Sequence, residues 1–477
     1  MKKLIPALWV LLIVLPLGAE AHADETHERI EALMRHCHEH GMLNGVVLVK
    51  ANGETVYEKA WGLADLRDGR ALDTDTAFYL ASVSKQFTAM GAMLLVERGK
   101  LSYDSKLSEF FPEFPDYADE VTVHHLMTHT SGIPDHFDLL QDVPDGLTNA
   151  QVLETLVAVP ELEFEPGSRF SYSNGGYVLL SMIVAKASRK PYHEFMADNV
   201  FKPLGMKRTL VYDESRPEIA NRAVGFNATG DLDDYGILTT GAGGIYSTLG
   251  DLSKWDDALY GERLVGSETL ERAFSATTLS DGTESNYGYG WGVETRDGRK
   301  IVAHSGGLNG YRTFVARDLE KRNSVILLTN MGGTINLGQL AESVAAVLEG
   351  EDPPMPDIPI ALHLMRLIDR DGLATALVSY DEIRDRGEGG GYDLSEGQLN
   401  VLGYEYLGRG EVDTAIVLFK KNVEAYPEAF NVYDSLAEAY MKKGATRRAI
   451  VNYAQSLVLN PDNDNALQRL ERLRNAP

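Results

Sequence analysis

Near its C-terminus the chain repeats itself. Leu402, Gly403, Tyr406, Gly410, Ala415, Phe419 and Pro427 are matched, 34 positions on, by Leu436, Ala437, Tyr440, Gly444, Ala449, Tyr453 and Pro461. A period of this size constrains the fold strongly, because each unit is one supersecondary element that buries its apolar face only against its neighbour. Two helices per unit, with small residues where they cross, make residues 399–477 an all-α region, closed by a capping helix over 467–473. Two units are few for independent stability. Two further helices, expected over 360–370 and 373–386, or the preceding domain, are therefore expected to cover them. An acidic, proline-rich linker over 349–359, containing Asp352-Pro353-Pro354, separates this region from the rest.

A chain of 477 residues exceeds one typical core, so more than one domain is expected. The formal net charge of -25, with no compensating basic run, excludes a nucleic-acid partner, which would be repelled. Met1-Lys2-Lys3, an apolar run over 4–17 and Ala21-His22-Ala23 form the pattern of a secretory signal peptide over 1–23, cleaved before Asp24. The run is too short, and too interrupted by Pro6 and Pro16, to span a bilayer. A periplasmic or secreted location follows, with no transmembrane span after cleavage; an uncleaved anchor is the alternative. Cys37 is the only cysteine, so no intramolecular disulfide is available.

In chain order, the spacing of Ile30, Leu33, Met34 and Cys37 predicts a helix over 24–40. His36-Cys37-His38-Glu39-His40 fans around that helix, which suits a solvated helix end better than a metal site. Two β-branched runs over 44–50 and 54–62, joined through Asn52-Gly53, predict a β-hairpin. His125 and His129 share a helix face without the acidic base of a metalloprotease between them, so packing is the expectation rather than zinc. Gly241-Ala242-Gly243-Gly244 lacks the lysine of a phosphate loop and is read as a tight turn with close backbone approach. Residues 287–291, with Gly288 and Gly290, suggest a bent strand. Strands over 299–304, 311–317 and 324–329 and a helix over 337–348 complete an antiparallel sheet, onto which the N-terminal hairpin pairs, with helices on its faces.

Chemistry enters at Ser82-Val83-Ser84-Lys85. The apolar residues Phe87, Met90, Met93 and Leu94 predict a helix opening here and stopping at Gly99, which puts Ser82 at its N-terminus and Lys85 one turn on, on the same face. A serine hydroxyl needs a basic neighbour to become nucleophilic, and an amine in apolar or cationic surroundings is depressed enough to serve. Tyr172-Ser173-Asn174 lies on the loop before an apolar helix over 177–186, where a phenol can relay protons and an amide can orient a lysine or a carbonyl. His304-Ser305-Gly306-Gly307 ends a strand. Its imidazole is placed to donate to an anionic group, and its glycines let backbone approach a bound carbonyl. No Gly-x-Ser-x-Gly occurs, which excludes nucleophile-elbow esterases.

Taken together, Ser82-x-x-Lys85, Tyr172-x-Asn174 and His304-x-Gly306 resemble the serine β-lactamase and penicillin-binding-protein superfamily, in the branch of class C β-lactamases, D-alanyl-D-alanine carboxypeptidases, D-amino-acid peptidases and β-lactamase-like esterases. Leu126-Met127-Thr128-His129-Thr130-Ser131-Gly132 and Gly243-Gly244-Ile245-Tyr246-Ser247 share the likeness. The resemblance implies a β-lactamase-like α/β (α+β) domain over 24–350: an antiparallel sheet flanked by helices, plus a helical subdomain. It further implies Ser82 as the acylated nucleophile, Lys85 as proton acceptor or electrostatic activator, and Tyr172 as general base shared between acylation and deacylation. Asn174, His304, Ser305, Gly306 and Gly307 would bind substrate, with the backbone N–H groups of Ser82 and Gly307 forming the oxyanion hole. No metal or organic cofactor is implied. The 34-residue period resembles tetratricopeptide repeats over 399–477, joined through linker and helices over 351–398.

Many β-lactamases of the superfamily carry lysine where this chain has His304, and a histidine is not a permanent cation. Action on a small-molecule or peptide amide or ester is therefore expected rather than efficient β-lactam hydrolysis. A β-lactamase proper, and a catalytically silent adaptor using the old pocket and the repeats, are the alternatives. The repeats are expected either to bind a protein or peptide partner or to stabilise or dimerise the chain.

Overall fold

Asn52 and Gly53 both adopt left-handed backbone, with φ of 53° and 83°, and this two-residue reversal joins the strands Gly45–Ala51 and Glu54–Trp61. The computed structural model describes residues 17–140 and 142–475. Of the signal-peptide pattern read over 1–23, with its apolar run over 4–17, residues 1–16 lie outside the described residues. The helix predicted over 24–40 extends from Leu17 to Glu39. Among the described residues no helix is long and apolar enough to cross a membrane.

The hairpin is one edge of a six-stranded, wholly antiparallel sheet. Its order is Glu54–Trp61, Gly45–Ala51, Asn323–Thr329, Tyr311–Asp318, Arg299–Leu308, Gly292–Arg296. Alternate residues of its central strands serve two different cores, as the period of two requires. Val46, Leu48, Ile326 and Leu328 face a large core with Phe87, Met90 and Met93. Val47, Val49, Val325 and Leu327 face a smaller one, closed by Ile30, Leu33, Met34 and Cys37 of the first helix and by Leu340 and Val344 of the helix Leu337–Leu348. Both faces being buried, these strands read as continuous apolar runs. Two expectations change here. Residues 287–291 form no strand: Gly288 and Gly290 let the loop thread against Ala273 and against the backbone of Lys85 and Gln86, where an added Cβ would come within 2.2 and 2.9 Å. The strand that carries His304 does not end there either; it runs on through the glycines to Leu308.

Beyond the sheet, consecutive helices Ile360–Asp371, Leu373–Asp385, Glu396–Gly408, Val412–Ala425, Phe430–Lys442, Thr446–Leu459 and Asp464–Asn475 share their own core. Gly403 sits beneath the Phe419 ring, where a Cβ would come within 2.5 Å, so a small residue is needed at that crossing. Its counterpart Ala437 is fully buried. Gly410 and Gly444, 34 positions apart, both take positive φ, at 82° and 77°. The linker is held rather than free: the Pro356 carbonyl lies 3.0 Å from His36 Nε2, and Ile358–Pro359 pairs with Tyr392–Asp393. The helical region also grips the segment that leads to the cleft, through Glu405 with Asn227 and Thr229, and Arg409 with Asp231.

Candidate active site

The helix Ser84–Glu97 is almost wholly buried, so whatever polar group its first turn carries is desolvated. Ser82 precedes it on a short 3-10 turn, Ala81–Val83, not on the α-helix proper. Ala81 is held at φ 47°, a conformation costly for a residue with a Cβ, and the hydroxyl of Thr313 pins the turn by donating to the Leu80 carbonyl at 2.8 Å. Gly306 lies against this turn. A Cβ there would fall 2.5 Å from the Leu80 carbonyl oxygen and 3.0 Å from the Ser82 nitrogen, so only glycine lets the strand come this close. Ser82 and Gly307 line one small cavity of about 70 Å³, together with Asn174, Ala242 and Gly243.

Lys85 Nζ donates to Ser82 Oγ at 3.0 Å, to Asn174 Oδ1 at 2.8 Å and to the Ala242 carbonyl at 3.0 Å. All three partners are neutral. Burial pushes the ammonium down to about 7, against a weaker opposing pull from Asp135. Asn174 is fixed in turn: its amide Nδ2 and its backbone N–H donate to Asp135 Oδ2 at 2.7 and 2.9 Å, leaving its Oδ1 for the lysine. Ser173 caps the helix Asn174–Ser188 that carries this amide.

Tyr172 stands beside both groups: Lys85 Nζ sits 4.8 Å from its ring centroid, and the Ser82 hydroxyl is among the neighbours that act on its phenol. The ring keeps an open face at 37 % exposure, while its crowded hydroxyl end is desolvated and the phenol is raised well above its ordinary value. It is neutral at rest. His129, at φ 58°, stacks on Tyr172 with ring centroids 4.2 Å apart and accepts from the Ser173 N–H at 3.1 Å. His304 stands 6.3 Å from the Tyr172 ring. Its Nδ1 donates to the Ser305 carbonyl at 2.6 Å and its Nε2 accepts from the Tyr287 hydroxyl at 2.8 Å. Burial first, then Lys85, hold the imidazole down at about 3, so it is neutral.

The structure thus gathers Ser82, Lys85, Tyr172, Asn174, His304, Gly306 and Gly307, with Ser305 on the same strand, around one cleft. Sequence reasoning missed Asp135, the Ala242 carbonyl, His129 as a ring under Tyr172, and Tyr287. Asp135 carried a local signal, as an Asx cap ahead of His136–Leu139, while His129 and Ala242 lay in stretches singled out for other reasons. Neither histidine-rich stretch gathers ligands, and no group of three metal-ligating side chains occurs among the described residues. His124 meets the Tyr289 hydroxyl and His125 caps Thr122, so both pack.

Residues 27–348 match the protein family described as Beta-lactamase. The chain is 33 % identical over 362 residues to penicillin-binding protein 4* of Bacillus subtilis (strain 168), covering 70 % of this chain and 78 % of that one. It is 30 % identical over 316 residues to a D-aminopeptidase of Brucella anthropi, covering 64 % and 59 %. It spans about three-fifths of the length of the D-aminopeptidases it matches. Among solved structures, the octameric penicillin-binding protein homologue from Pyrococcus abyssi superposes with a TM-score of 0.60 at 27 % identity, over 72 % of this chain and 81 % of that one.

Proposed function

The chain belongs to the β-lactamase family of serine hydrolases, and from that premise we propose that it is an exported hydrolase which cleaves an amide, peptide or ester bond through an acyl-enzyme on Ser82. One observation carries the reading: a buried amine that titrates near 7 lies 3.0 Å from the serine hydroxyl, with no carboxylate in direct contact to hold its charge. Lys85 Nζ takes the hydroxyl proton as Ser82 Oγ attacks the substrate carbonyl. The backbone N–H groups of Ser82 and Gly307 receive the developing oxyanion; a donor so placed is typically worth on the order of a hundred- to a thousand-fold in rate. Tyr172, neutral and beside Ser82 and Lys85, passes the proton from Lys85 to the leaving group. In the second half the incoming water gives its proton to the Tyr172 oxygen as the phenol passes its own to the free amine of Lys85; the water oxygen attacks the ester carbon, and Lys85 returns the proton to Ser82 Oγ as it leaves. Asn174, fixed by Asp135, keeps Lys85 aimed at the serine. No step calls on a metal or an organic cofactor.

His304 supports an amide, peptide or ester over a β-lactam as substrate. A neutral ring with both nitrogens committed supplies no charge for a carboxylate. The likeness to proteins named D-aminopeptidase supports an amide as the bond that is cleaved. The C-terminal helices are proposed to be tetratricopeptide repeats that engage a protein or peptide partner, on the strength of their 34-residue period and the small residue at each crossing. Export to the periplasm or medium rests on the N-terminal sequence pattern.

Exposure to a fluorophosphonate or a penicillin is expected to add one probe mass to the peptide containing Ser82, and Ser82→Ala to abolish it. Absence of labelling, with no turnover of D-amino-acid amides, short esters or nitrocefin, overturns the proposal.

A further inference from the structure

Among the described residues the cavity beside Ser82 has neither arginine nor lysine in its wall; Lys85, which donates to the lining residues Ser82 and Ala242, is pushed down to about 7 by burial. What it has is a histidine without an occupation. His136 lines the cavity and is only 1 % exposed, yet neither of its ring nitrogens meets a hydrogen-bond partner. Such a group in a folded interior calls for a partner, and a cavity wall is where one can arrive with a ligand. Behind the ring stands Asp135, with Oδ1 3.4 Å from His136 Nδ1. That proximity favours the proton on Nδ1 and leaves the lone pair on Nε2 as an acceptor. Burial foremost, and Lys85 with it, hold the ring neutral against Asp135 and Asp138, which pull the other way. Phe137, Ile237 and Leu308 give the wall an apolar side, opposite in character to Ser82, Asn174 and Thr239, which also line it.

An acceptor backed by a carboxylate, in a small cavity with an apolar side and no cation in its wall, fits an acyl group that carries a small hydrocarbon substituent and an N–H donor. It does not fit one that ends in a carboxylate. Resting on the Ser82 acyl-enzyme reading, we propose that His136, supported by Asp135, is a specificity-determining residue that receives the amino or amide N–H of the substrate's acyl portion. Substrates are then α-amino or α-amido acyl amides and esters, and Asp135 joins the two halves of the site: Oδ2 orients Asn174 for Lys85, and Oδ1, which also accepts the Phe137 N–H at 3.1 Å, stands behind the imidazole that reads the substrate.

The test compares both enantiomers of alanine p-nitroanilide with propanoyl p-nitroanilide, which differs only by the amino group. Wild-type kcat/KM is expected to favour one alanine enantiomer over the propanoyl compound by at least about tenfold, since a site built to pair with a substrate N–H discriminates against its absence. In His136→Leu that ratio is expected to collapse to within about threefold, mainly through KM. His136→Phe, which keeps a ring in place, is expected to behave alike, and His136→Gln, which restores an acceptor, to recover part of the ratio. Fluorophosphonate labelling of Ser82 reports an intact site in each variant. A wild-type ratio near one, or a ratio unchanged in whichever apolar variant still labels, overturns the inference while leaving the Ser82 reading standing. Failure of the wild-type protein to label at Ser82 overturns both.

Discussion

Two lysines are buried in the sheet-bearing domain, Lys50 at 2 % exposure and Lys85 at 0 %, and their surroundings are opposite in kind. Lys50 Nζ lies 2.6 Å from Asp257 Oδ1 and 3.3 Å from Asp256 Oδ2, and Arg317 holds the other oxygen of Asp256 at 2.7 Å. Two cations and two carboxylates close a neutral cluster, in which each charge is kept by its partners. Lys85 has a hydroxyl, an amide oxygen and a peptide oxygen instead, and the nearest carboxylate is one side chain away, behind Asn174. Dipoles orient the amine without holding its proton. The same residue type is thus cross-linking cement at one place and a base at the other, and the difference lies entirely in where the carboxylates stand.

The largest effect that can break this contrast is on chemistry. Lys85→Met leaves Ser82 without its proton acceptor, and both turnover and the rate of fluorophosphonate labelling are expected to fall on the order of a thousandfold or more. A loss under about tenfold would show that another group takes the proton. Lys50→Met is expected to do the reverse. Stability to urea falls by about 2 kcal/mol, less than for a fully buried pair because Asp257 is half exposed and Asp256 keeps Arg317. Turnover per labelled Ser82 stays at the wild-type level. Should the two substitutions affect activity alike, the division of labour fails.

A smaller effect follows from bringing a carboxylate to Lys85. In wild type, kcat/KM is expected to rise with pH through about 7, because the free amine is the active form. Asn174→Asp sets a carboxyl in place of the amide oxygen 2.8 Å from Nζ and beside Asp135. Added negative charge favours the ammonium, so the rising limb is expected to move up by about one pH unit. A limb that stays in place would assign the titration to a group other than Lys85.

How far these features could be seen without coordinates depended on what kind of atom each role uses. Ser82, Lys85, Tyr172 and Asn174 act through side chains at fixed local spacing, and a helix turn or a capped loop makes that spacing readable. The Ala242 carbonyl acts through backbone, which every residue has, so nothing marked it beyond the glycines on either side. Asp135 and Tyr287 work only because the chain returns to the same point from far away. His304 misled for a related reason: Gly306-Gly307 looked like the end of a strand, whereas the strand continues and the missing Cβ lets it pass close to Leu80 and Ser82. The hairpin at Asn52-Gly53, the helix Leu337–Leu348 and the 34-residue repeat were legible because local turn chemistry and periodicity fix them.

Per unit of pH, the smallest expected effect is on stability, and it isolates the Lys85 amine. In the unfolded chain the Lys85 amine titrates near its ordinary 10.5, in the folded protein near 7. Between those values the unfolded state holds the proton and the folded state does not, so folding expels it. The free energy of unfolding contributed by this group therefore rises with pH across the window, by at most about 1.4 kcal/mol per pH unit, and levels off beyond it. Other groups act in the same range: Cys37, raised to about 12 by burial, takes stability away as pH climbs past 9. Subtracting the urea stability of Lys85→Met from that of wild type at each pH cancels them. The difference is expected to be least favourable to wild type near pH 7 and to shrink steadily towards 10, whereas Lys50→Met, which keeps Lys85, is expected to retain the rise contributed by that amine. A flat difference would mean that the amine beside Ser82 keeps its proton in the folded state, and the base would have to be sought elsewhere.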